Sequence, residues 1–452
     1  MKLEKFIMAG WLLLGWQSLA AANDIPPQYL EEALRNNLVL KEKTISLEKS
    51  LLALKTARSL FLPTTRFEAQ YLLSKGGRTI DIPVGDLMNP VYKTLNELTG
   101  SNNFPTISNV SEQFNPNNFY DLRIRTSMPL YNPELKINRA IQEKQVALQH
   151  NEIDIYKREL VRDVKTAYFN YLAASKAIVI YDNALLVVRE NLRVNQSMLA
   201  NGKGLPAYVS RAESELMQVE NQLRSASNDR QNAKAYFNFL LNKPLTDTIA
   251  ITEPDINQAL LQLPSTEIND VSRREELKKL SIARDINQQV LKMNQSFRVP
   301  RLNAFLDLAA QGFDFELKRK SFFYLGGLQL NFPIFTGKRN LYTIEQTRLD
   351  GRSLQLTTDQ AQQQLQLAAF VSRNAINTAN SSYRTALRQE SSARQYFKLI
   401  DRGYKEGVNN FIEFLDARTQ LTNAQLQVTI NTYKVFAAMA DYERQSASYS
   451  FQ

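Results

Sequence analysis

The stretch Asp401-Arg-Gly403-Tyr404-Lys-Glu-Gly407-Val-Asn409-Asn-Phe-Ile-Glu413-Phe-Leu-Asp416-Ala417-Arg418 decides how this chain is read. It lies between two long runs compatible with helix. Gly403 and Gly407 are the only glycines beyond Arg352, and no proline follows Pro333. Two glycines in an otherwise unbroken helical pattern mark a place where a helix can stop and reverse. Glu413 and Asp416 follow the turn directly, three residues apart and so on one helix face.

Working outward, the run before this turn extends from Lys338 to Arg402 and its return from Val408 to Ser446. An earlier run, Glu134 to Asn201, has neither glycine nor proline. At 1.5 Å per residue, ~68 helical residues reach roughly 100 Å, a length that suits a coiled coil or a tunnel rather than a globular domain. Gly202 and Gly204, with Pro206, make the turn that closes it, and a second helix continues to about Leu241. Shorter helical patterns cover Asp24 to Leu60 and Val271 to Phe297. Residues 242–269 contain Pro244, Pro254 and Pro264 and read as an irregular connector.

Four stretches change period from 3.6 to 2: residues 61–73, 118–130, 299–311 and 321–333. Phe67, Ala69 and Tyr71 alternate with Arg66, Glu68 and Gln70. Tyr120, Leu122, Ile124, Thr126 and Met128 oppose Asp121, Arg123 and Arg125. Leu302, Ala304, Leu306 and Leu308 share a face in the third stretch. In the fourth, Phe322, Tyr324, Leu328 and Leu330 oppose Gly327, Gln329 and Asn331. Residues 74–117, polar and with Gly76-Gly77 and four prolines, read as a long loop.

The order helix, strand, strand, long helix, turn, helix occurs twice, so residues 23–269 and 270–452 read as two repeats. Met128-Pro129-Leu130-Tyr131 matches Phe332-Pro333-Ile334-Phe335 at an offset of 204, and Gly202 to Ala212 matches Gly407 to Ala417 at an offset of 205.

Composition narrows the function. The chain has 452 residues, no cysteine, one histidine (His150) and a net charge of +10. Without cysteine there is no disulfide, thiolate metal site or lipidated N-terminal cysteine. A lone histidine on a helix is neither a triad nor a metal centre. No glycine-rich phosphate loop or nucleophile elbow is present, so the reading includes no enzyme activity, no catalytic residue and no cofactor. Lys2 and Lys5, the apolar run Phe6 to Leu14 and Ala20-Ala21-Ala22 read as a signal peptide over residues 1–22. Export, and charges scattered along helices, argue against nucleic acid as a partner. Arg273-Arg274-Glu275-Glu276 reads as a surface charge cluster.

Tyr404, Gly407 and the run Ile412-Glu413-Phe414-Leu415-Asp416-Ala417 resemble the second-repeat signature of the TolC family of outer-membrane efflux channels. The resemblance extends from about Tyr29 to Tyr449, and the duplicated order agrees with it. It implies a mainly α fold with a membrane β-barrel: a homotrimer whose four strands per chain close a twelve-stranded barrel, continued by a long periplasmic α-helical barrel. A closed barrel is also what lipid requires, since every backbone group must be paired there, and four strands cannot close alone. Arg66, Glu68, Gln70, Arg123, Arg125, Asn303, Asp307, Gln329 and Asn331 are the expected polar lining.

By the same resemblance, Glu413, Asp416 and Tyr404 belong to the periplasmic entrance and its gate. Gly202, Gly204, Gly407 and Asn409 sit at the hairpin turns that would meet a periplasmic adaptor, or membrane fusion protein. An inner-membrane transporter and outer-membrane lipid complete the implied partners. The function implied is a passive exit duct for drugs or other small molecules. Type I protein secretion uses a similar duct, and a non-conducting trimeric coiled-coil surface protein is a third reading. Two departures stand out. Asn409 occupies a position where close relatives carry arginine, and the first turn, Gly202-Lys-Gly-Leu-Pro-Ala-Tyr208, lacks the acidic Val-Leu run. Leu317-Lys318-Arg319-Lys320 falls in the loop that the resemblance places outside the cell, where lipid phosphates could be its partners; a solvated loop is the plainer reading.

Overall fold

The computed structural model describes residues 25–261, 271–449 and 451. The signal peptide expected over residues 1–22 and the end of the 242–269 connector lie outside these. Two compact units divide the chain. One comprises residues up to Ser50, Gln145–Asp285 and Gly351 onward; the other comprises Leu51–Lys144 and Ile286–Asp350.

The first unit is helical. It takes in α1 (Pro27–Asn36), the start of α2 (Leu38–Ser59), most of α4 (Pro133–Ala200), α5 (Pro206–Leu240), α6 (Ile256–Leu261), the start of α7 (Glu275–Gln295), most of α8 (Arg339–Lys405) and α9 (Phe411–Ser446). Its main core joins Tyr29, Leu30 and Ala33 of α1 to Leu160, Val164, Tyr168 and Leu172 of α4, Phe237 of α5 and Phe436 of α9. Tyr29, Tyr168 and Phe237 form a ring cluster with centroids 5.1–5.9 Å apart. α4 is long and apolar enough to cross a membrane by length and composition alone, and its residues Ile153, Leu160, Val164, Tyr168 and Leu172 enter this core.

The α8 seam follows a heptad. Ala369, Ser372, Ile376, Ala379, Tyr383 and Ala386 are buried at alternating three- and four-residue steps, and Ala393 follows one heptad later, the spacing that keeps a stripe against a neighbouring helix. Ala379 and Tyr383 meet Val435 of α9. Ala375 is exposed, and Ile376 takes the buried phase beside it.

Three readings of this unit are corrected. The run Asp24 to Leu60 is two helices, broken at Asn37 (ψ 129°). The Asn37 amide donates to the Leu240 carbonyl at 3.0 Å and its oxygen accepts from the Leu40 N–H at 3.1 Å, so one side chain caps α2 and ties it to α5. Arg274 is buried, not part of a surface cluster. It donates to Glu276 at 2.6 and 3.0 Å and to the Gln445 carbonyl at 2.8 Å. The connector also holds the short helix α6, whose Ala259 enters the core.

The second unit contains β1 (Thr64–Leu72), β4 (Phe119–Tyr131), β5 (Arg301–Phe313) and β6 (Phe322–Asn331), paired antiparallel in the order β1-β4-β5-β6. α2 enters β1 and α7 enters β5, while α4 leaves β4 and α8 leaves β6. All four helix junctions therefore lie at one end of the sheet and the strand-to-strand loops at the other. Pro129 stands opposite Asn303 at a register shift, beyond the last β1 partner of β4. A proline is tolerated there because no ladder bond is lost.

The segment expected as a loop, residues 74–117, is folded. β2 (Thr79–Ile82) pairs with β3 (Val110–Gln113), and α3 (Val84–Thr99) lies between them. Asn89 and Asn96 hold α3 in place. Asn89 exchanges two bonds with the Ile107 backbone (2.9 and 3.0 Å), and Asn96 two with that of Phe104 (2.8 and 3.1 Å). Pro90 inside the helix hides it from a composition-based reading, and Gly100 (φ +65°) ends it.

Candidate functional site

The two long helices end by the same device. In the second turn Gly407 has φ +79°. The Val408 N–H donates to the Gly403 carbonyl at 2.8 Å and the Gly407 N–H to the Tyr404 carbonyl at 3.1 Å. In the first, Gly202 has φ +68°. Lys203 N–H donates to Met198 at 2.9 Å and Gly202 N–H to Leu199 at 3.0 Å. This is the Schellman motif, which satisfies the last helical carbonyls and needs a left-handed residue. Gly204 and Gly403 act differently. A Cβ on Gly204 would lie 2.7 Å from the Leu199 nitrogen. Gly403, expected to help stop the helix, instead lies in the last turn of α8, where a Cβ would strike the Asn409 side chain.

The turns are brought together by an aromatic cluster. Tyr404 lies 5.0 Å from Phe414 with the rings tilted, Phe397 lies 5.7 Å from Phe414, and Tyr208 of α5 lies 5.4 Å from Phe411. Ala212 and Leu415 fill the space between them. The Tyr404 hydroxyl is enclosed beside the Asn191 and Asn195 amides of α4 without a well-formed hydrogen bond. Burial holds its pKa above the ordinary tyrosine value, against the pull of the two amides.

The two acids differ. Glu413 is the third residue of α9 and closes a capping box with Asn410. Its carboxylate accepts from the Asn409 amide at 2.7 Å, the Asn410 amide at 3.1 Å and the Asn410 N–H at 3.2 Å. Asp416 is exposed and, among the described residues, accepts from Gln420 alone, at 2.7 Å. Glu413 is thus engaged in starting the helix, and Asp416 faces water.

Sequence reasoning passed over the buried ion pair between Glu215 of α5 and Arg418 of α9. A signal was present. Ala212, Glu215 and Val219 share one helical phase, as do Leu415, Arg418 and Thr422, so each charge falls on a core stripe. Among the described residues no group of three or more His, Cys, Asp or Glu side chains is placed to hold a metal.

In the sheet, the register puts all nine expected lining residues on one face. Arg66 stands opposite Arg125 and Arg125 opposite Asp307; Glu68 faces Arg123, Gln329 faces Asn303, and Asn331 faces Arg301. Arg125 grips Asp307 with two bonds of 2.7 Å. The other face carries Phe67, Ile124, Leu308, Tyr324 and Leu328, all exposed.

A sequence model of the outer membrane efflux protein family matches residues 29–243 and 271–441. The chain belongs to that family. Solved efflux-family folds agree. The CmeC outer membrane channel of Campylobacter jejuni superposes with a TM-score of 0.72 at 15% identity, over 93% of this chain and 85% of its own. The outer membrane protein VceC of Vibrio cholerae gives 0.71 at 15% identity, over 93% and 95%. The MtrE outer membrane channel of Neisseria gonorrhoeae, in its open state, gives 0.69 at 16% identity, over 93% and 88%. At such identities the likeness is one of fold. No curated protein matches the chain. The efflux-protein match covers both glycine turns and all four long strands, so the candidate gate and the candidate lining both fall within it.

Proposed function

We propose that this efflux protein is the outer-membrane exit duct of a tripartite export system, a passive channel for small molecules. The carrying observation is the sheet. Four antiparallel strands have an exposed apolar face, a charged and amide face, and two edges, β1 and β6, each paired on one side only. An apolar outer face suits lipid, and open edges are not tolerated there. β1 and β6 run antiparallel, so copies joined head to tail continue the alternation, and three close a barrel of about twelve strands. The two sequence repeats, 23–269 and 270–452, each supply two strands and one helical hairpin. In this reading the helical runs form the periplasmic duct, and the turns at Gly202–Gly204 and Gly407–Asn409 meet a periplasmic adaptor coupled to an inner-membrane transporter.

The experiment is electrophoresis of the outer-membrane fraction followed by planar-bilayer recording. A heat-modifiable trimer with stable conductance is the expected result; a soluble, non-conducting trimer would favour the coiled-coil surface protein. Photocrosslinking from Asn409 in cells then identifies the adaptor. An adaptor paired with a proton-driven pump supports small-molecule efflux, whereas one paired with an ABC transporter shifts the reading toward protein export.

A further inference from the structure

The register between β4 and β5 shifts at the end of β4. Pro129 stands opposite Asn303 and Tyr131 opposite Leu302, so Leu130 is an extra residue bulged between them. The shift sets Tyr131 on the apolar face of the sheet, beside Leu302. Next to the bulge lies a groove of about 820 Å³. Phe61, Leu130, Tyr131 and Ile137 give it an apolar wall, and Lys136, Arg139 and Glu143 add charge. All of these residues belong to the second unit. β4 is flanked by β1 and β5 of the same chain, so one copy supplies the groove without a neighbour.

Charge is unevenly divided between the two ends of the sheet. On the helix side, the nine residues next to each strand hold two cations at every junction, eight in all, against a single acid, Glu134. Glu134 is taken by Arg301. On the loop side, the same distance holds five cations and four acids. At the groove, Arg139 and Arg58 share Glu143, at 3.0 and 3.5 Å. Lys136 is exposed and has no ion-pair partner among the described residues. The groove therefore keeps an excess of positive charge beside apolar surface.

We propose that this groove binds an anionic phospholipid from the membrane leaflet on the helix side of the sheet. The lipid phosphate pairs with Lys136, and an acyl chain lies along Leu130, Tyr131 and the apolar face above them. A headgroup without an ammonium fits best. Phosphatidylethanolamine brings its own cation into a groove that already has too many, whereas phosphatidylglycerol leaves the phosphate charge for the lysine. The proposal rests on the barrel reading above, which sets lipid against the apolar face, and it names a lipid that the barrel selects.

Native mass spectrometry of the detergent-solubilised protein tests it, with dioleoyl phosphatidylglycerol and dioleoyl phosphatidylethanolamine as probes. The parent should retain phosphatidylglycerol in preference to phosphatidylethanolamine. One cation at an anionic lipid surface is worth about fivefold in affinity. Lys136→Gln should therefore weaken phosphatidylglycerol retention about fivefold and leave phosphatidylethanolamine unchanged. Lys136→Arg should restore the preference, and Lys318→Gln, on the loop side, should leave it intact. Equal retention of the two lipids by the parent, or unchanged retention in Lys136→Gln, overturns the proposal and leaves the channel standing. Displacement of the lipid by an equal concentration of glycerol phosphate would reveal a bare anion site and overturn it too. A parent protein that forms no heat-modifiable trimer and does not conduct overturns the barrel reading and the proposal with it.

Discussion

Arg418 of α9 donates to Glu215 of α5 inside the helical unit, with only 4% and 5% of the two residues exposed. The Arg418 Nε is buried without an acceptor. Burial pushes the guanidinium pKa down, and the Glu215 charge opposes that shift. Removing one member strands the other, so Glu215→Ala should cost about 3–5 kcal/mol, whereas Glu215→Leu with Arg418→Met should be nearly neutral. Thermal unfolding of the detergent-solubilised protein checks both. A double variant as unstable as the single would mean that the pair holds the helices by specific geometry rather than by mutual neutralisation.

The unequal engagement of Glu413 and Asp416 predicts unequal effects on permeation. Asp416 is exposed, and in the proposed trimer copies of it around the channel axis would attract cations. Glu413 is held by three hydrogen bonds from Asn409 and Asn410. Asp416→Asn should therefore reduce cation selectivity and divalent block more than Glu413→Gln, which keeps the capping box. Glu413→Ala should instead loosen the start of α9, by about 1 kcal/mol. Reversal potentials in a salt gradient separate these effects, and equal shifts in the two conservative variants would contradict the assignment.

The sequence revealed what depends on period and on glycine. The four strands and the sorting of their faces follow from alternation, and the Gly407 turn from a lone break in a long helical run. The fold of residues 74–117 was hidden because Pro90 sits inside α3 and Asn89 and Asn96 bond to a backbone that composition cannot place. Arg274 read as a surface charge because the acceptor that draws it inward, the Gln445 carbonyl, comes from a distant part of the chain. At the candidate gate, the pair Tyr404 and Gly407 was legible. Asn191, Asn195 and Glu215 were not, because the groups they meet, the Tyr404 hydroxyl and the Arg418 guanidinium, lie on other helices.

The half-buried Glu276 and the buried Tyr433 set opposite limits on pH. Burial favours the neutral form of Glu276, but the bonds from Arg274 and the charge of Arg444 prevail and hold its pKa below the ordinary 4.5. Its contribution is complete above that value and is lost as pH falls through the lower folded pKa. Tyr433 is pushed by burial up to about 12. Its contribution is complete below the ordinary value of 10.0 and is lost as pH rises toward 12. The thermal midpoint should thus decline at both extremes. Glu276→Gln should lower it at neutral pH and flatten the acid limb, and Tyr433→Phe should flatten the alkaline limb.

Gly407 and Gly403 are four residues apart but should respond differently to the same substitution. Gly407 has φ +79°, where a Cβ meets the following carbonyl, so Gly407→Ala should cost about 1–2 kcal/mol and Gly407→Asn less. Gly202→Ala should match it, since that residue has φ +68° in the same motif. Gly403 is helical, and alanine there would by itself favour the helix by about 1 kcal/mol. The new methyl, however, would displace the Asn409 side chain, whose amide donates to Glu413 at 2.7 Å. Gly403→Ala should therefore loosen the turn in the parent and become neutral or stabilising when combined with Asn409→Ser. Amide hydrogen exchange over residues 404–413 reads this coupling directly. Additive effects of the two substitutions would mean that the Gly403–Asn409 contact does not organise the turn.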